Sequence, residues 1–153
     1  LGSDVTGSPS IRTAPPSGVS AAHSILEIGA GTGYNACLLA QLTGRADLVT
    51  TIDIDPDVTA KASQALTATG YGDVHVVPGD GGLGYADHAP YDRMIATVSP
   101  WDIPVAWWKQ LAPGGRLVAP LRFPVKSTWC AMRRCDSSGG GRPSSEACRS
   151  RSL

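Results

Sequence analysis

No stretch of this 153-residue chain reaches the roughly 18 consecutive apolar residues that a membrane-spanning helix requires. The first twenty residues also lack the basic start and apolar follow-on of a secretory leader, so the sequence reads as cytoplasmic and without a membrane partner. Cysteine is sparse: Cys37, Cys130, Cys135 and Cys148. The last three have no histidine beside them, whereas structural zinc takes four Cys or His ligands at short spacings, so neither a metal site nor a disulfide framework is expected. Cys37 sits among apolar residues and reads as a small core residue. An excess of charge of one sign is missing too, since 13 basic and 13 acidic residues cancel. The cancellation hides an asymmetry: residues 24–125 carry ten acids against six bases, and residues 126–153 carry six bases against two acids. The arginines of the basic end are interleaved with Ser and Gly and have no aromatic partners for stacking, so nucleic acid is not an expected partner. A monomer is expected.

What is present has a clear order. Residues 1–23 are rich in Gly, Ser, Pro and Ala, with Pro15-Pro16 and no apolar periodicity, and read as a flexible arm. Residues 24–29 form an apolar run ending in glycine, a buried strand. Residues 34–43 place Ala36, Leu38, Leu39, Ala40 and Leu42 at helical spacing. A β-branched strand follows over 48–53, then a helix over 56–69 with Pro56 in its first turn and Gly70 at its close. Further strands are expected at 74–78, 94–98 and 117–121, with a helix at 104–111. Strands alternating with helices predict an α/β domain over 24–125, a mostly parallel sheet covered on both faces. From Lys126 the pattern stops: seven Ser, five Arg and a triple glycine predict a disordered basic tail over 126–153 and an open edge on the fifth strand.

The chemistry concentrates in Glu27-Ile28-Gly29-Ala30-Gly31-Thr32-Gly33. Glycines at alternate positions after a strand let the chain turn sharply and let a ligand approach the backbone without meeting a Cβ, while the next helix presents its N-terminus. Gly31-Thr32-Gly33-Tyr34-Asn35-Ala36 also satisfies the dinucleotide pattern G-x-G-x-x-A, with Asp53 about 20 residues on, so an NAD-dependent oxidoreductase is a competing reading. Glu27 favours S-adenosylmethionine instead, because an acid beside the first glycine attracts the ammonium of that cofactor and repels a pyrophosphate. Asp53, ending the second strand, is placed to accept both ribose hydroxyls, with Asp55 as fallback or, before Pro56, as a helix cap. Asp80 and Gly81, after the third strand, lie at the same sheet edge and can present an acid and a backbone N–H to the adenine, or form a plain turn.

From Ile25 to Leu121 the residues resemble the protein-L-isoaspartate O-methyltransferases and their actinobacterial-type relatives. The resemblance runs through ILEIGAGTGYNA, TIDID, GDGGLGY from Gly79 to Tyr85, APYDRMIAT and Ile103-Pro104, and ends with QLAPGGRLVAPL. It implies a Rossmann-like class I methyltransferase, a three-layer sandwich with incomplete flanks, binding S-adenosylmethionine through Glu27, Gly29, Gly31, Gly33, Asp53, Asp80 and Gly81. It further implies methyl transfer to a carboxylate of an L-isoaspartyl (or aspartyl) residue in a protein or peptide, in that family the α-carboxyl of L-isoaspartyl, the first step of protein repair. A carboxylate with a pKa near 4 is ionised at pH 7, so it can attack a sulfonium methyl without a general base. The site then needs only to align the reactants and exclude water. Consistently, His23, His75 and His88 read as structural or exposed. Thr97 and Ser99 close the fourth strand, where hydroxyls can orient an acceptor carboxylate or make strand-end hydrogen bonds.

Two parts of the family pattern are not met. The segment upstream of the first strand has Pro15-Pro16 and Gly18 where a helix belongs, and residues beyond Val125 show no recognisable strand. A cofactor-binding fragment without catalysis is therefore the alternative from a different class.

Overall fold

The computed structural model describes residues 19–122 and 127–134. Its elements run β1 (Ile25–Ile28), α1 (Tyr34–Thr43), β2 (Val49–Asp53), α2 (Pro56–Ala68), β3 (His75–Pro78), β4 (Tyr91–Ala96), α3 (Val105–Gln110), β5 (Leu111–Arg122) and β6 (Ser127–Arg133). Short 3-10 turns lie at Ala46–Leu48, Gly81–Leu83 and Ala86–His88. The six strands form one sheet in the order β3-β2-β1-β4-β5-β6. β1 to β5 pair in parallel, and β6 returns antiparallel to β5. Strand order reverses at β1, which opens a crevice at the carboxyl ends of β1 and its neighbours.

Period-two alternation along β1 decides which side each residue serves. Ile25 packs with Ala36, Leu39 and Ala40 of α1, Val49 of β2 and Leu66 of α2. Leu26 and Ile28 face the other side, packed with Trp107 of α3, Tyr91 of β4 and Leu117 of β5. Glu27 therefore shares the α1 side with Ile25. α1 carries no side-chain cap and begins from Gly33 in the left-handed region, φ 79°. It ends on Gly44, φ 69°, whose N–H bonds Ala40 O. α2 is capped as the Asp55-Pro56 pair suggests: the Asp55 carboxylate accepts from Asp57 N, with Pro56 in the first turn.

Boundaries shift where tertiary contacts outweigh local pattern. β4 starts at Tyr91, three residues before the expected Met94, because Tyr91 is fully buried. β5 starts at Leu111 directly after α3. The register passes from Tyr91 opposite Leu111 to Arg93 opposite Arg116, so residues 112–115, with Pro113-Gly114-Gly115, bulge out of the pairing.

The expected disorder from Lys126 is corrected at residues 127–134. β6 pairs with β5 from Arg122 opposite Ser127 to Arg116 opposite Arg133, so β5 has a partner there instead of an open edge. Cys130 is buried and Met132 half-buried on one face, while Trp129, Ala131 and Arg133 are exposed. This alternation is too short to register within a Ser- and Arg-rich stretch, and its stability comes from antiparallel pairing with β5, the strand before it. The arm is corrected at its last residues as well. Val19 packs against the α1 cluster, and Ser20 and His23 close a turn through Ser20 N to His23 Nδ1 at 2.9 Å. The rest of the expected arm, residues 1–18, and of the tail, Lys126 and residues 135–153, lie outside the described residues. Among the described residues no helix is long and apolar enough to cross a membrane.

Candidate cofactor and active site

The three glycines of the turn have three different duties. Gly29 has φ 102°, and a Cβ there would stand 2.4 Å from Thr97 Oγ1 and 2.9 Å from Val98 Cγ1. Gly33 has φ 79°, and its Cβ would press on Ala62 O and Leu66 Cγ at 3.2 Å, so it permits α1 and α2 to approach. Gly31, φ 51°, has nothing within 4 Å of a Cβ position: this is the open point of the turn, where a ligand can reach the backbone.

Asp53 and Asp80 line one cleft of about 230 Å³ with Ile28, Gly29, Gly81 and Trp107. Their convergence follows from the sheet. Asp53 pairs with Pro78, and Gly79 N donates to Asp53 O at 2.8 Å, which brings the ends of β2 and β3 together. Asp53 Oδ2 accepts from Ala30 N at 3.0 Å and Gly31 N at 3.4 Å, and Oδ1 accepts from Asp55 N at 3.2 Å. The carboxylate thus holds the glycine turn. Asp80 Oδ1 accepts from Gly82 N at 2.8 Å, and a Cβ on Gly81 would collide with Ile28 Cγ2 at 2.6 Å.

Glu27 lies under the turn, not on the cleft wall. It is 0% exposed, with Oε1 accepting from Asn35 Nδ2 and Oε2 from Thr51 Oγ1, both at 2.7 Å. Burial raises its pKa, the two hydrogen bonds oppose the rise, and the nearby Asp53 charge adds to it. The register explains both partners: Thr51 is opposite Glu27 on β2, and Asn35 projects from the first turn of α1 onto the same face.

The hydroxyl of Thr97 donates to Ile28 O at 3.1 Å and Gly29 O at 2.8 Å, stitching the end of β4 to the end of β1. This is the strand-end role that the sequence left open beside the acceptor role. Ser99 is half-buried between Val98 and Pro100, both of which line the cleft.

Several residues at the site are assigned no role by the sequence, where Trp107 reads as a groove wall or, better, as packing on the sheet. Trp107 Nε1 donates to Gly81 O at 2.8 Å. Gln110 Nε2 donates to Leu83 O, and its Oε1 accepts from Tyr85 N, each at 2.8 Å. Tyr91 donates to Tyr85 O at 2.7 Å, and burial pushes its phenol up to about 12. The GDGGLGY and QLxPGGRL motifs were visible, but nothing in either says that one holds the other.

A family model described as Protein-L-isoaspartate(D-aspartate) O-methyltransferase matches residues 17–142. The chain belongs to this family. A protein-L-isoaspartate O-methyltransferase of Methanococcus maripaludis is 41% identical over 99 residues, 65% of this chain and 47% of the relative. Protein-L-isoaspartate O-methyltransferase 2 of Archaeoglobus fulgidus is 38% identical over 118 residues, 77% of this chain and 53% of the relative. The chain spans about half the length of these curated relatives. Among solved structures, a protein-L-isoaspartate O-methyltransferase superposes with TM-score 0.73 at 29% identity, covering 77% of this chain and 38% of that one. A Plasmodium falciparum protein described as a putative member, in complex with S-adenosyl-L-homocysteine, superposes with TM-score 0.69 at 11% identity, covering 77% of this chain and 60% of that one, and so shows the fold. The class I methyltransferase reading of the protein-L-isoaspartate O-methyltransferase-like glycine turn stands, and the oxidoreductase reading does not.

Proposed function

We propose that this chain binds S-adenosylmethionine in the cleft at the carboxyl ends of β1, β2 and β3 and methylates the free carboxylate of L-isoaspartyl residues (the α-carboxylate), or of aspartyl residues (the side-chain carboxylate), in proteins or peptides. The observation that carries this reading is the convergence of Asp53, Asp80 and Gly29 on one cleft of the family's fold, with Asp53 holding the glycine turn through Ala30 N and Gly31 N. The cradle suits the cofactor's shape. Asp53 offers carboxylate oxygens to two ribose hydroxyls, Gly31 admits close approach to the backbone, and Ile28, Pro104 and Trp107 supply apolar wall for an adenine. Glu27 acts from beneath, adding negative potential under the turn on the side that would meet an ammonium. Gly33 serves the site by setting the α1 to α2 spacing.

When bound, the cofactor supplies an electrophilic sulfonium methyl. The chain's own groups orient and desolvate: the acceptor carboxylate arrives ionised, so no residue has to remove a proton. Thr97 holds the turn at the right distance from β4, and Ser99 is the acceptor-side hydroxyl beside Val98 and Pro100. The placement in the cytoplasm and the monomeric state belong to this proposal.

The test is calorimetry with S-adenosylhomocysteine followed by methyl transfer to an isoaspartyl peptide. Asp53→Ala is expected to weaken cofactor binding about 10- to 100-fold, the worth of hydrogen bonds to a charged group. Unchanged affinity would remove Asp53 from the ribose site. Binding by the wild-type chain without transfer would sink the catalytic reading and leave a cofactor-binding module.

A further inference from the structure

We infer that Trp107 and Gln110 of α3, braced from behind by Arg134, are positioning residues that fix the Asp80 loop and thereby set the nucleoside end of the cofactor site. The inference rests on the proposed binding of S-adenosylmethionine in the cleft.

Residues 79–85 include four glycines and leave their strand with little of their own to hold a shape. Their internal bonds are local: Leu83 N to Asp80 O at 3.0 Å, Gly84 N to Gly81 O at 3.1 Å and the Asp80 side chain to Gly82 N. These close a turn without aiming it. The aim comes from α3. Trp107 Nε1 takes the carbonyl of Gly81, the residue after Asp80. Gln110 uses both ends of its amide, donating to Leu83 O and accepting from Tyr85 N, so it clamps the loop on either side of Gly84. That clamp is possible because position 84 has no side chain: a Cβ there would lie 2.3 Å from Gln110 Oε1, and its φ of 64° is one that side chains rarely adopt.

α3 has six residues, too few to be stable alone. Its carboxyl end is held by the Arg134 guanidinium, whose Nη1 donates to Trp108 O at 3.0 Å, to Lys109 O at 3.4 Å and to Leu111 O. The Arg134 backbone is itself fixed, with Arg134 N on Gly115 O at 2.9 Å and Gly114 N on Arg134 O at 3.0 Å. A residue just past β6 is thereby linked through α3 to the acid at the end of β3.

Three variants test the assignment by calorimetry with S-adenosylhomocysteine and with 5′-methylthioadenosine, which keeps the nucleoside and lacks the amino-acid end. Trp107→Phe removes the N–H donor while keeping an aromatic, though smaller, side chain, and Gln110→Glu keeps the acceptor for Tyr85 N while losing the donor to Leu83 O. Each is expected to weaken both ligands by the same factor, about five- to tenfold. Arg134→Lys is expected to weaken both by about two- to threefold. Combined with Asp80→Ala, the Gln110 loss should largely vanish, because it acts through that loop, and the Trp107 loss should shrink to the share that its own place in the cleft wall contributes; combined with Asp53→Ala both should persist in full. Full additivity with Asp80→Ala, or unchanged affinities, overturns the inference alone. A wild-type chain that binds neither ligand overturns the proposed function, and the inference with it.

Discussion

Burial favours the proton on a carboxylate while hydrogen-bond donors favour its charge, and Glu27 meets both, being fully buried and accepting from Asn35 and Thr51. Its pKa in the fold is raised above the ordinary 4.5, first by burial. The fold therefore binds that proton more tightly than the unfolded chain, so the stability Glu27 contributes is full below pH 4.5 and is lost as pH rises through the elevated value. Glu27→Gln retains the shape and removes the charge, keeping an acceptor for Asn35 Nδ2 and turning the other bond around, with the amide NH2 donating to Thr51 Oγ1. Its melting temperature is expected to exceed the wild type's at pH 8, with the difference closing toward pH 4.5, while its affinity for S-adenosylhomocysteine falls. A melting difference that stays flat across that range would contradict the assignment. The glycines divide in a second way. Gly29→Ala meets Thr97 Oγ1 and is expected to cost about 2–3 kcal/mol of stability in urea titrations. Gly31→Ala meets no protein atom, so its strain of about 1–2 kcal/mol should be accompanied by a loss of ligand affinity larger than its loss of stability. If both variants lose stability and affinity in equal proportion, the division between a packing glycine and a ligand glycine is wrong.

At the scale of elements, what could be read in advance depended on how local the cause was. α1 was legible to the residue, because Gly33 and Gly44 bracket a helical run, and the Asp55-Pro56 start of α2 was legible because a cap and its proline are adjacent in sequence. β6 was not legible. Its pattern covers seven residues of mixed polarity, and its partner β5 supplies the hydrogen bonds. Cys130, 0% exposed opposite Ala119, is the test of that strand. Cys130→Asp is expected to lower unfolding free energy by about 3 kcal/mol or more, since a carboxylate would be buried there, while Cys130→Val should cost little. Equal stability of the two variants in urea would show that β6 does not close the sheet.

For the molecule as a whole, the sheet brings residues more than 50 apart in sequence to one cleft, so ligand and fold should be thermodynamically linked. S-adenosylhomocysteine at 100 times its dissociation constant is expected to add about 2.7 kcal/mol to stability, read as a concentration-dependent rise in melting temperature. NADH at the same concentration should leave the melting temperature unchanged. The reverse pattern would restore the dinucleotide reading of Gly31 to Ala36.

The sequence alone determined the α/β order, the glycine turn and the acids that follow β2 and β3, because each depends on neighbours within one strand, turn or helix. It also carried the family, through motifs in a fixed order over residues 25–121. Only the tertiary structure decided which way those residues face. Alternation along β1 turned Glu27 under the turn instead of into the cleft, and crossing from β4 to β1 committed the Thr97 hydroxyl to Ile28 and Gly29. The docking of α3 made Trp107 and Gln110 the holders of the Asp80 loop, and the return of β6 brought Arg134 behind them. Such contacts join segments distant in the chain, and their geometry is set by sheet register and packing, which no local pattern encodes.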